Sequence, residues 1–321
     1  GVLWVGTDGQ GINKYARIKE RFRRFQNDPL DPNSLSAGSV GALWEDAAGV
    51  VWVGVPGEGL DSLDRTTSDA STGGAFVHYA YNPDDSQSLG HNNVRALYED
   101  HEGTLWIGTS RGLDWFVPGA AGGTFTHYGH DPGDPNSLGP GAVKAILEDH
   151  THTLWVATEE PGTLNRFDRV TETFFRYAHD PDNPNSFINT YGVRAIYEDR
   201  AGDLWLGTYN GLVHFDRDAA EGHASEGGTF TQYRPDPENT HSISHDFVWS
   251  IYQDRAGILW IGTSEGLNRF DPATGQFQVY TVEDGLPSDQ VRCILADRQN
   301  TLWLGTDGGL SRFDSQTETF R

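Results

Sequence analysis

A five-residue block recurs seven times along the 321-residue chain, and this repetition limits the possible folds more than any other feature. The copies occupy residues 3–7, 51–55, 105–109, 154–158, 204–208, 259–263 and 302–306. Each has tryptophan second, at Trp4, Trp52, Trp106, Trp155, Trp205, Trp260 and Trp303, with spacings of 43 to 55 residues. That period is the length of a propeller blade. Around each block lie four strand signals separated by turns. The first is an apolar run ending in acids, such as Val94 to Asp100. The Leu-Trp block is the second, a Gly-Leu segment such as Gly266 to Asp271 the third, and an aromatic-polar alternation such as Phe125 to Tyr128 the fourth.

Four strands per unit, repeated radially, predict an all-β, seven-bladed β-propeller of antiparallel blades. An open solenoid would need capping units at its ends, and the sequence has none. The approximate blades are 1–28, 38–82, 92–130, 141–180, 191–235, 246–282 and 289–321, forming one domain. Blade 1 lacks its innermost strand, which upstream sequence in a longer parent protein is expected to supply. Because the first residues already sit within a repeat, the absence of a targeting segment says nothing about location.

Charge narrows the partners. With 23 Lys and Arg against 46 Asp and Glu, the net charge is -23, which argues against nucleic acid. No run approaches the length of a membrane span. The single cysteine, Cys293, lies in an apolar run and reads as a buried hydrophobe.

The units follow the composite Val-x-Ala-Ile-x-Glu-Asp-x-x-Gly-x-Leu-Trp-Ile-Gly-Thr-x-x-Gly-Leu-x-Arg-Phe-Asp. This resembles two-component regulator propeller repeats, most clearly over 193–215, 248–271 and 291–314. Blade 4 departs from it with Ala157 in place of glycine and an inserted Pro161. The resemblance implies the periplasmic or extracellular sensor of a membrane-bound regulator. Such regulators are often hybrid histidine kinases with two propellers, and several related sensors respond to oligosaccharides.

Ligand contacts are expected where the innermost strands begin. One residue past the conserved valine or its equivalent stand Gly41, Arg95, Lys144, Arg194, Trp249 and Arg292. Four of these six are basic, so a cationic collar with one aromatic platform suggests a small anionic oligosaccharide. The alternative is that these cations pair with acids. Glu45, Glu99, Glu148 and Glu198 lie at the far end of the same strands, so other partners would be needed. Loops opening on the same face add Arg111, Glu159, Glu160, Tyr209, Asn210, Ser264, Glu265 and Asp307, and the strand starts add Asn92, Asn93, Tyr191, Asp246, Phe247, Asp289 and Gln290. The expected ligand set is Arg95, Lys144, Arg194, Trp249, Arg292, Arg111, Tyr191, Tyr209, Asn210, Glu265, Asn93 and Gln290, with no catalytic residue, cofactor or metal.

Other motifs read as architecture. The repeated tryptophans suit inter-sheet packing, whereas Trp44 and Trp115 could be half exposed. The Asp-Pro loops at 28–34, 131–137 and 180–186 lack the spacing of a calcium loop and suit Asx turns. The Asp-x-x-Gly-x-Leu-Trp turn resembles the structural Asp-box of sialidase-type propellers. A hydrolase on that pattern would need an arginine triad, for which Arg95, Arg194 and Arg292 are available. A lyase resembling the streptogramin-inactivating propellers would need a histidine base, for which His91 and His245 are placed. His150 and His152 lie in a turn at the opposite face. A scaffold that binds a second propeller or a dimer mate is the non-catalytic alternative.

Overall fold

A computed structural model describes residues 2–16, 21–64, 75–119, 123–182, 186–187, 191–217, 228–314 and 317–321. Its regular structure is strand throughout, apart from one turn of 3-10 helix at Val282–Asp284. The strands form seven separate antiparallel sheets, each joined in chain order. The first sheet has three strands (Val2–Gly6, Ile12–Ala16 and Arg21–Phe25), and the other six have four. This is the seven-bladed propeller architecture, including the shorter first blade.

By contact density the chain divides into two units, residues 1–156 with 166–175, and 157–165 with 176–321. Blade 4 contributes strands to both. Within each unit, neighbouring sheets stack by one repeated contact. The second-strand tryptophan meets the third-strand phenylalanine of the next blade edge to face. Trp52–Phe116, Trp106–Phe167, Trp205–Phe270 and Trp260–Phe313 have centroids 5.1 to 5.6 Å apart. Aromatic quadrupoles favour this geometry.

The glycine of the repeated block allows the same close stacking. A β-carbon at Gly262 would lie 2.6 Å from the Val291 carbonyl oxygen and 2.6 Å from Ser250 Oγ. Five of the block tryptophans are buried, while Trp4 and Trp303 are half-buried in the terminal blades. Trp44 and Trp115 are also half-buried.

Each buried tryptophan is tied to the turn before it. Asp254 Oδ2 accepts from Trp260 Nε1 at 3.0 Å, while its Oδ1 accepts from the backbone N–H of Ala256 and Ile258 at 2.9 and 3.1 Å. Asp46, Asp100, Asp149 and Asp199 hold their tryptophans in the same way. A buried indole N–H needs such an acceptor, so the Asp-x-x-Gly turn is structural here.

The Asp-Pro loops also close on themselves. Asp28 Oδ1 accepts from Leu30 N at 3.0 Å, and Asp131 Oδ1 from Gly133 N at 2.8 Å. A serine six residues on, Ser34 or Ser137, bonds back to the same aspartate's backbone. Of the 180–186 loop, residues 183–185 lie outside the described residues.

One expectation fails. Cys293 is exposed, not buried. Its strand, Val291–Ala296, is the first of the last sheet and pairs with Leu302–Thr306. Arg292, Cys293 and Leu295 are exposed along it.

Candidate functional site

Four of the six collar positions share a backbone device. Pairing between first and second strands shifts register between Val94 and Ala96, Val193 and Ala195, Val248 and Ser250, and Val291 and Cys293. The residues skipped are Arg95, Arg194, Trp249 and Arg292. Each is therefore the extra residue of a β-bulge, which leaves the ladder and re-aims its side chain. Alternation along the strand gives no sign of this, because a bulge is set by pairing with the neighbouring strand.

The second unit brings three of these residues together. The guanidinium of Arg194 lies 4.4 Å from the Trp249 ring centroid and that of Arg292 lies 4.3 Å from it, so the indole has two cationic neighbours. Trp249 Nε1 donates to Ser264 Oγ at 2.9 Å. Phe247 meets Tyr209 edge to face at 5.3 Å and is 41% exposed. Tyr209 accepts from Arg194 and donates to Glu159 through its hydroxyl. Burial, then the Glu159 hydrogen bond, pushes the Tyr209 phenol up.

Both arginines have acids. Arg292 grips Asp307 bidentately, with Nε to Oδ1 at 2.8 Å and Nη2 to Oδ2 at 3.1 Å. Its Nη2 also donates to Gln290 Oε1 at 2.6 Å. The hydrogen bond from Arg292 holds the Asp307 carboxyl below its usual range. Arg194 Nη1 lies 3.7 Å from Glu159 Oε1. The partners missing from the first strands thus come from Glu159, the last residue of a second strand, and from Asp307 in the turn after another. The two formal positive charges are matched by two negative ones, and in this unit the collar is not a free cationic surface.

The remaining expected residues are dispersed. Tyr191 is 75% exposed and accepts a backbone bond from Glu160 N. Asn210 and Glu265 donate their backbone N–H to Thr208 and Thr263, closing their own turns. Arg95, Lys144, Arg111 and Asn93 belong to the first unit. There Asn93 Nδ2 donates to Ser110 Oγ at 2.7 Å. Arg111 stacks 5.8 Å from the Tyr81 ring beside a cavity of about 330 Å³.

Sequence reading missed the buried polar residues of the third strands. Asp61, Asp114 and Asn268 accept the backbone N–H of Ser36, Gly90 and Ser244, anchoring the loop that enters each blade. Ser36, Asp61 and His78 also form a serine-histidine-aspartate cluster. Ser36 Oγ and Asp61 Oδ1 both meet His78 Nδ1, at 3.1 and 2.7 Å, while Nε2 faces the Pro32 carbonyl at 3.0 Å. A catalytic triad needs serine and acid on opposite ring nitrogens, so this cluster is a tether. The Nδ1 atoms of His91 and His245 accept backbone N–H groups two residues on, from Asn93 and Phe247. Those bonds give neither imidazole a carboxylate to orient it as a base.

Comparison with known proteins agrees with the repeats. The family profile for the two component regulator propeller matches residues 88–111, 186–210, 242–265 and 285–308. No curated protein gives a significant match. Among solved structures, the chain is similar to the extracellular domain of BT3049 from B. thetaiotaomicron, described as a hybrid two component system. Identity is 22% over 98% of this chain and 50% of that one, with a TM-score of 0.57. It is also similar to PorZ, a surface component of the type-IX secretion system of Porphyromonas gingivalis (17% identity, 98% and 45% coverage, TM-score 0.71). A third is virginiamycin B lyase from Staphylococcus aureus (16%, 88% and 83%, TM-score 0.60). The chain spans about half the length of BT3049's extracellular domain. At these identities the likeness shows the fold alone. The profile matches four of the seven repeats and the same motif recurs in register, so the chain carries two-component regulator propeller repeats.

Proposed function

We propose that this chain is the ligand-sensing propeller of a two-component-type receptor, placed on the periplasmic or extracellular side of a membrane. It binds a small oligosaccharide and does not turn it over. The placement rests on the repeats and on the description of the B. thetaiotaomicron structures as extracellular domains. The observation that carries the binding reading is the Arg194–Trp249–Arg292 cluster, with the half-open ring of Phe247 beside it. Aromatic faces suit the C–H face of a pyranose, and guanidinium forks suit its hydroxyls. Arg194, Trp249 and Arg292 are held by bulges on strands, a rigid setting for recognition.

The basic residues at the collar positions, taken alone, favour an anionic sugar. The paired charges instead support a neutral one, because a carboxylate or sulfate would first have to displace Asp307 from Arg292. Thermal shift and calorimetry with matched neutral and acidic oligosaccharides test this. A ligand at 100 times its dissociation constant adds about 2.7 kcal/mol to stability. Trp249→Ala should abolish the shift, and Asp307→Asn should move preference towards acidic sugars. No saturable binding by any sugar, or unchanged affinity in Trp249→Ala, overturns the proposal. A second reading, a propeller–propeller or homodimer contact, is favoured by the exposure of Tyr191 and Phe247 at this end. Concentration-dependent self-association lost on Tyr191→Ser would establish it.

A further inference from the structure

At the other end of the strands, two neighbouring turns each carry a histidine. In the turn that follows the first strand of blade 4, His152 stands where the sister turns have Gly49, Gly103, Gly202 and Gly257, and the last has Asn300. Its φ is 65°, in the left-handed region that a side chain disfavours. His101 lies in the corresponding turn of blade 3. The two exposed imidazoles stack with centroids 3.8 Å apart and planes inclined by 27°. Glu148 closes the group, its Oε1 accepting from His101 Nδ1 at 2.6 Å and its Oε2 from His101 N at 2.7 Å. One donor atom from each of His101, Glu148 and His152 lies within 4.8 Å of the other two.

We propose that His101, Glu148 and His152 bind a divalent cation of the zinc class, clipping the two turns together. Two imidazoles and a carboxylate are a borderline-soft donor set suited to zinc, cobalt or nickel, with water completing the shell. Calcium and magnesium prefer oxygen donors throughout. Metal–donor bonds of about 2.0–2.2 Å require the donors to draw closer than they now stand. Rotation of the two exposed rings out of their stack supplies that movement.

Charge permits it. Arg169 donates to Glu148 Oε1 at 2.6 Å and to Asp100 Oδ2 at 2.9 Å, and so opposes a cation. Against that one guanidinium stand three carboxylates, Asp100, Glu148 and Glu102, the last 4.0 Å from His101 Nε2. The left-handed histidine is the independent mark. Glycine would serve the turn with less strain, and strain held at a potential ligand suggests a role for the side chain.

The decisive variant is His152→Gly, which restores the residue of the sister turns and so preserves the fold while deleting a ligand. Calorimetry with zinc chloride should show one equivalent bound to the wild type. Binding should weaken by roughly tenfold or more in both His152→Gly and His101→Ala. Cobalt should give a visible d–d band in the wild type only, and magnesium should not compete. Zinc binding equal in all three proteins, or absent from the wild type, overturns the proposal.

Discussion

Replacing Asp254 by alanine should cost the protein about 4 kcal/mol, through one identifiable set of bonds. Its carboxylate accepts from Trp260 Nε1 at 3.0 Å and from the N–H groups of Ala256 and Ile258 at 2.9 and 3.1 Å. Trp260 is only 2% exposed, so removing the acceptor strands its N–H away from water. An orphaned buried donor costs about 1–3 kcal/mol, and the two turn amides account for the remainder. Asparagine keeps one oxygen for the amides and loses the indole partner, so Asp254→Asn should cost roughly half as much. The indole share can be isolated in a double-mutant cycle with Trp260→Phe, which removes the donor while leaving a ring in the core. Urea unfolding of the four proteins should give a coupling energy of about 1 kcal/mol or more between the two positions. Additive costs would show that the aspartate acts on the turn alone, and the account of the repeated Asp–Trp pair would be wrong.

Two further predictions concern packing and pH. Gly262→Ala pushes a β-carbon onto the Val291 carbonyl and should lower stability by about 1–3 kcal/mol; an unchanged unfolding midpoint would show that the blades can separate freely. The Asp114 hydrogen bond raises the pKa of His127 above its ordinary 6.5. The stability this imidazolium contributes is fully present below pH 6.5 and is lost as pH rises through the folded value. The stability gap between wild type and His127→Gln should therefore shrink from pH 6 towards pH 8. A gap constant across that range would refute the assignment.

The sequence by itself determined the blade count, the antiparallel order and the short first blade. Those follow from local chemistry that repeats. A tryptophan strand needs a glycine where the next sheet approaches, an aspartate six residues before it to accept the indole, and turns on either side. Each requirement is met within a few residues, and seven repetitions average out the exceptions, so Ala157 in place of glycine did not obscure blade 4. The collar positions were also legible, as a column of unlike residues in an otherwise uniform strand.

What those residues do was decided by tertiary structure. Whether a side chain follows the strand's alternation or stands in a bulge depends on the register of the neighbouring strand. Whether Arg292 is a free charge depends on Asp307, 15 residues away, and Arg194 depends on Glu159 in the preceding blade. His101 and Glu148 stand 47 residues apart in the chain and 2.6 Å apart in space. Cys293 is exposed although its neighbours in sequence are apolar. Local pattern encodes which element a residue joins. Distances between side chains of different blades are set by how the sheets stack, and charge pairing falls off too steeply with distance to be read without them.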